Sequence, residues 1–207
     1  MYSKALKFEE NADIIRNMQI ELVLTQMGLI LLKFNELEPA LKYLKKSLRI
    51  RQKYSNPNTS DVAVSLYNVA LIYQKLHRYG KALKYFRKAL RIEREMHGFD
   101  YQDVPTTLTS IGEVLTILGR KDIALESFEK ALLIIERKSI EDNSILVAKL
   151  LNYIGNIYLQ RGDTNVSMSM FVKASRIYRE ADLSDANIAV FNWEVDINNY
   201  VASAAAA

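Results

Sequence analysis

The chain lacks cysteine altogether and has one tryptophan, three prolines and seven glycines among 207 residues. Without cysteine there is no disulfide, no thiolate zinc site and no thiol nucleophile. An all-β design needs a turn every 8–12 residues or so, and this chain has too few glycines and prolines for that. Helices are therefore the favoured element. No apolar run of signal-peptide length opens the sequence, and no uninterrupted apolar run reaches the roughly 18 residues of a membrane span. A secreted or membrane-spanning chain is not expected, and the cytoplasm is the expected setting.

Residues that would carry catalysis are also sparse. The two histidines are His77, in a predicted turn, and His97, just before Gly98. Neither lies three or four residues from another histidine on a predicted helix face, so no zinc-binding histidine pair forms, and both are expected to face solvent. There is no Gly-rich phosphate loop, no nucleophile elbow and no pair of carboxylates within an apolar run. No enzymatic activity, cofactor or small-molecule substrate is expected.

What the chain does contain is 49% hydrophobic and 25% charged residues, the mixture of a folded protein with a substantial core. Its net charge of +4 is unevenly placed: residues 1–100 carry 18 Lys/Arg against 10 Asp/Glu, and the remainder carries 10 against 14. Much of the basic excess lies in Lys42, Lys45, Lys46, Arg49, Arg51 and Lys53, and again in Lys81, Lys84, Arg87, Lys88, Arg91 and Arg94. Such a stripe can neutralise phosphates, but on an outward helix face it chiefly keeps the fold in solution. Nucleic acid is not the expected partner.

Internal repetition is the dominant signal. Leu66, Val69, Ala70, Tyr73, Ala82, Phe86 and Ala89 recur 42 residues later as Leu108, Ile111, Gly112, Leu115, Ala124, Phe128 and Ala131. The same shift backwards gives Leu24, Met27, Gly28, Leu31, Ala40, Leu44 and Ser47. A shift of 43 forwards from the Leu108 copy gives Leu151, Ile154, Gly155, Tyr158, Ser167, Phe171 and Ala174. Apolar spacings of three and four on either side of a polar turn make each copy a helical hairpin. Gly28, Ala70, Gly112 and Gly155 on the first helix are expected to face Ala40, Ala82, Ala124 and Ser167 on the second, because absent bulk lets the helices approach.

This pattern resembles the tetratricopeptide repeat, with Leu in place of the usual first Trp and no terminal Pro. The long period and the connection Gly98-Phe99-Asp100-Tyr101-Gln102-Asp103-Val104-Pro105-Thr106-Thr107-Leu108 are similar to the kinesin-light-chain branch. Gly98, Asp100, Val104 and Leu108 match that branch's linker, and Tyr101-Gln102 replaces its His-Pro. The resemblance implies an all-α fold, an α-solenoid of tandem hairpins wound as a right-handed superhelix. Residues 1–17 are expected to be the second helix of a truncated repeat. Four repeats follow over 21–60, 61–102, 103–145 and 146–182, then a capping helix over 186–200 and a linker-like tail over 201–207.

In this family the first helices line a concave groove. Carried over by register, the groove set is Gln26, Tyr67, Asn68, Lys75, Glu113, Asn152, Tyr153 and Asn156. An Asn amide offers a donor and an acceptor to the backbone of an extended peptide, and Tyr offers apolar area. The carboxylate clamp of chaperone-binding members is not expected, since Thr25, Leu29, Thr106 and Ser110 stand where its Lys and Arg would be. The expected function is a non-enzymatic protein-protein interaction module, an adaptor or scaffold that takes a protein or peptide. The alternative is a ligand-sensing or self-associating regulatory segment of a multidomain signalling protein, with self-association through the array ends.

Overall fold

The computed structural model describes residues 2–54, 56, 58–98, 103–138 and 144–180. They form eight helices: α1 Tyr2–Lys33, α2 Leu37–Tyr54, α3 Ser60–Lys75, α4 Tyr79–His97, α5 Val104–Ile117, α6 Lys121–Lys138, α7 Ser144–Gln160 and α8 Thr164–Glu180. No strand occurs among the described residues, so the fold is all-α. The helices belong to two compact units, Met1–Ser127 and Phe128–Ala207, divided within α6. The expected capping helix over 186–200 and the tail over 201–207 lie outside the described residues.

Four turns have one geometry. At Asn35, His77, Gly119 and Gly162 the backbone takes φ of 61°, 57°, 74° and 88°. In each case the next N–H donates to the carbonyl five residues before it: Glu36 to Leu31, Arg78 to Tyr73, Arg120 to Leu115 and Asp163 to Tyr158, at 2.8–2.9 Å. This closure satisfies carbonyls that a helix end leaves unpaired, and it requires one left-handed residue. The spacing of these turns repeats the sequence period.

In the first unit α1 packs on α2, α2 on α3, α3 on α4 and α4 on α5; in the second, α7 packs on α8. The small residues lie where the helices approach. A Cβ added to Gly28 would sit 2.6 Å from Leu44 Cγ, and one added to Gly155 would sit 2.8 Å from Phe171 Cε1. Phe86 and Phe171, filling the hairpins beside the small positions, are buried. In the second unit Ala148, Leu151 and Ala174 form a core over which Leu132, Met170 and Ile177 pack.

One expected boundary is absent. Residues 1–17 are not a separate second helix, because α1 runs unbroken from Tyr2 to Lys33. The stretch Asn17-Met18-Gln19-Ile20 contains no Gly or Pro to stop the ladder. Asn17 instead donates back to the Asp13 carbonyl at 2.7 Å, within the helix.

Candidate binding surface

The first unit places Tyr67, Asn68, Leu71 and Lys75 on one face of α3, as three- and four-residue spacing requires. Asn68 is half-buried and Lys75 is exposed. Neither side chain has a hydrogen bond or ion pair with another described residue. Gln74 joins this face, a residue the sequence register did not single out. Its Nε2 donates to Glu113 Oε2 on α5 at 3.0 Å, while its Oε1 is buried without a partner. The signal available in the sequence was the three-residue spacing from Leu71 to Gln74.

Tyr67 serves the interior as much as the surface. Its ring meets Phe86 edge-on, with centroids 5.3 Å apart, and its hydroxyl lies 3.1 Å from Ser110 Oγ. Burial pushes the Tyr67 phenol above its ordinary value. The Ser110 hydrogen bond offsets part of that rise, and the charges of Glu113, Glu93 and Asp103 add to it. Gln26, the α1 member of the expected set, is exposed.

In the second unit the expected residues separate. Asn152 is 2% exposed and hydrogen-bonds the Tyr178 hydroxyl of α8. Its amide therefore holds the α7–α8 hairpin together and is not presented to a partner, which removes the expected surface pair of Asn152 and Asn156. Tyr153 stacks on Phe128 with centroids 5.0 Å apart and planes 7° apart. Asn156 is half-buried and has no hydrogen bond among the described residues.

The basic stripe also needs one correction. Lys42, Lys46, Arg49, Lys81, Lys84, Arg87, Lys88, Arg91 and Arg94 are exposed as expected. Arg51 turns inward instead. Its Nη2 lies 2.6 Å from Glu21 Oε1, and its Nη1 donates to Ser65 Oγ and the Asp61 carbonyl at 2.8 and 2.7 Å. Ser47 and Thr25 donate to the same Glu21 oxygen at 2.8 Å each. The polar residues joining α1, α2 and α3 are thus satisfied by one another.

The tetratricopeptide repeat profile matches residues 19–95 and 103–180. No curated protein sequence matches the chain. Among solved structures, BtubC (BKLC) from P. vanneervenii superposes with a TM-score of 0.71 at 19% identity, over 80% of this chain and 65% of that one. Aspartyl phosphate phosphatase F from Bacillus subtilis gives 0.70 at 16% identity, over 80% of this chain and 42% of the phosphatase. MamA gives 0.59 at 18% identity, over 87% of this chain and 86% of its own. The chain thus spans under two thirds of BtubC, and identities this low establish shared fold alone. With two profile matches over most of its length and a 42–43-residue period like that of kinesin-light-chain arrays, the chain belongs to the tetratricopeptide repeat family.

Proposed function

We propose that the chain is a non-enzymatic adaptor or scaffold that binds a protein partner through an extended segment laid along the first-helix faces, in the first unit along α3 and α5. The observation that carries this reading is Asn68. Its half-exposed amide has no partner among the described residues, and it shares its face of α3 with the exposed Lys75, two turns on, and with Gln74, which pairs with Glu113. An amide of this kind can accept a backbone N–H and donate to a backbone C=O whatever the ligand's side chains are. Lys75 would favour a segment with an acidic residue near that point. The family's general use in protein interaction supports the coarse reading, and the register supports the choice of face.

Peptides selected from a random phage-displayed library on the wild-type chain supply the probe. The Asn68→Ala/Gln74→Ala variant should bind a selected peptide at least tenfold more weakly by calorimetry, with a melting temperature close to wild type. Unchanged affinity in that folded variant would move the site off α3.

A further inference from the structure

Ile20, Val23, Met27 and Ile30 line one stripe of α1, with Phe34 just past its end, and they are 42%, 56%, 40%, 51% and 77% exposed. The internal repeat shows how unusual this is. The residues 42 positions on from the first four, Val62, Ser65, Val69 and Ile72 of α3, are 0%, 7%, 0% and 0% exposed and lie on the side covered by α2. A further 42 on, Val104, Thr107, Ile111 and Val114 of α5 are 0%, 1%, 5% and 0% exposed, under α4. The α1 stripe has the register of an interior face and no cover among the described residues.

Its spacing of three, four, three and four residues is that of a helix–helix seam. The stripe also complements itself. At its N-terminal end Arg16, Gln19, Ile20, Val23 and Leu24 line a cavity of about 270 Å³, and at its C-terminal end Phe34 projects into solvent. Two copies laid antiparallel about a point near residue 25 set Ile20 against Ile30 of the second copy and Val23 against Met27. The same operation brings each Phe34 to the other copy's cavity and to its Arg16 guanidinium, a favourable cation–π contact. Arg16 is the one charge on the stripe itself between residues 16 and 34, and Gln19, Gln26 and Lys33 border it.

We propose that the occupant of this face is a second copy of the chain, in a two-fold antiparallel α1–α1 dimer. One patch satisfies both sides of such an interface. Two copies of these five side chains offer on the order of 1,000 Å² of apolar surface, about what a specific interface needs. A lipid surface is the rival occupant, because Ala12–Lys33 is long and apolar enough to cross a membrane.

Light scattering over a concentration series reaching about 0.1 mM should give a dimer mass for the wild type. Val23→Glu/Ile30→Glu should give a monomer with an unchanged helical circular-dichroism spectrum. The chain has no cysteine, so Gln26→Cys adds the sole thiol beside the two-fold axis. Mild oxidation should link it into a covalent dimer, and Asp61→Cys, on exposed α3 surface, should stay unlinked. This arm holds even where the charged variant fails to fold. A monomeric wild type, a mass that keeps growing as in head-to-tail stacking, or equal linking of the two thiols would overturn the proposal. So would flotation with phosphatidylcholine vesicles that Val23→Glu/Ile30→Glu abolishes.

Discussion

Arg51 and Glu93 occupy the same place in successive repeats, 42 residues apart, yet one is a paired cation and the other an unpaired acid. Arg51 meets Ser65 at 2.8 Å, and Glu93 accepts from Thr107, the residue 42 after Ser65, at 2.9 Å. Glu21 balances the Arg51 charge, but the residue 42 after Glu21 is Ala63, so the second junction carries no corresponding countercharge. Glu93 is 4% exposed, and its Oε2 has no hydrogen-bond partner.

A pH dependence follows from Glu93. Burial pushes its carboxyl up to about 7; the Thr107 hydrogen bond opposes the shift and the Asp103 charge adds to it. The folded chain therefore holds a proton there that the unfolded chain, with a value near 4.5, releases earlier. The contribution is full below about 4.5 and is lost as pH rises through about 7, on the order of 2–3 kcal/mol. Melting temperature should fall between pH 5 and pH 8.5 or so, and Glu93→Gln should flatten that fall. An equal slope in the variant would assign the dependence to other groups.

The Glu21–Arg51 pair should behave in the opposite sense. Burial alone would raise Glu21, but hydrogen bonds from Ser47, Thr25 and Arg51, with the Arg51 charge, outweigh it and hold the carboxyl low. Its contribution is present above 4.5 and is lost as pH falls through the lowered value. Arg51→Met leaves a buried carboxylate unpaired and should cost on the order of 3 kcal/mol in urea unfolding. Adding Glu21→Leu should restore most of that loss. If the double variant is no more stable than the single, the pair is not what Arg51→Met breaks.

Close packing at the small positions can be tested at Gly155. Alanine gains up to about 1 kcal/mol in helix propensity, but its Cβ would lie 2.8 Å from Phe171 Cε1, and that ring is 2% exposed. Overpacking costs about 1–3 kcal/mol, so Gly155→Ala should be net destabilising. A raised melting temperature would mean that the hairpin can open without loss.

The His77 turn should be improvable. A non-glycine residue at φ 57° carries strain of about 1 kcal/mol that Gly119 and Gly162 avoid at the matching turns. The exposed His77–Tyr79 hydrogen bond, 2.7 Å, returns only part of this. His77→Gly should raise stability by a few tenths of a kcal/mol to about 1 kcal/mol. A loss of stability would give that hydrogen bond the larger share.

The parts of the fold that were legible in the sequence rest on local rules. Gly28 against Leu44 and Gly155 against Phe171 follow from fixed spacing within one hairpin, where few side chains meet and each copy repeats the test. Asn152 was not legible as an interior residue. Register puts it on the same side of its helix as a groove residue, and only Tyr178, 26 positions later on α8, draws it inside. Arg51 was hidden in a run of surface cations for a similar reason, since its partner Glu21 lies on another helix.

By itself the amino-acid sequence determined the helical hairpin, its 42–43-residue period and the faces that close it, because these depend on backbone periodicity and on bulk at short separation. The tertiary structure alone decided which polar groups of the groove set are engaged within the fold, and which apolar stripe has no cover. Those outcomes depend on where side chains from distant helices meet, and the free energy of burying or pairing them outweighs what any single segment prefers.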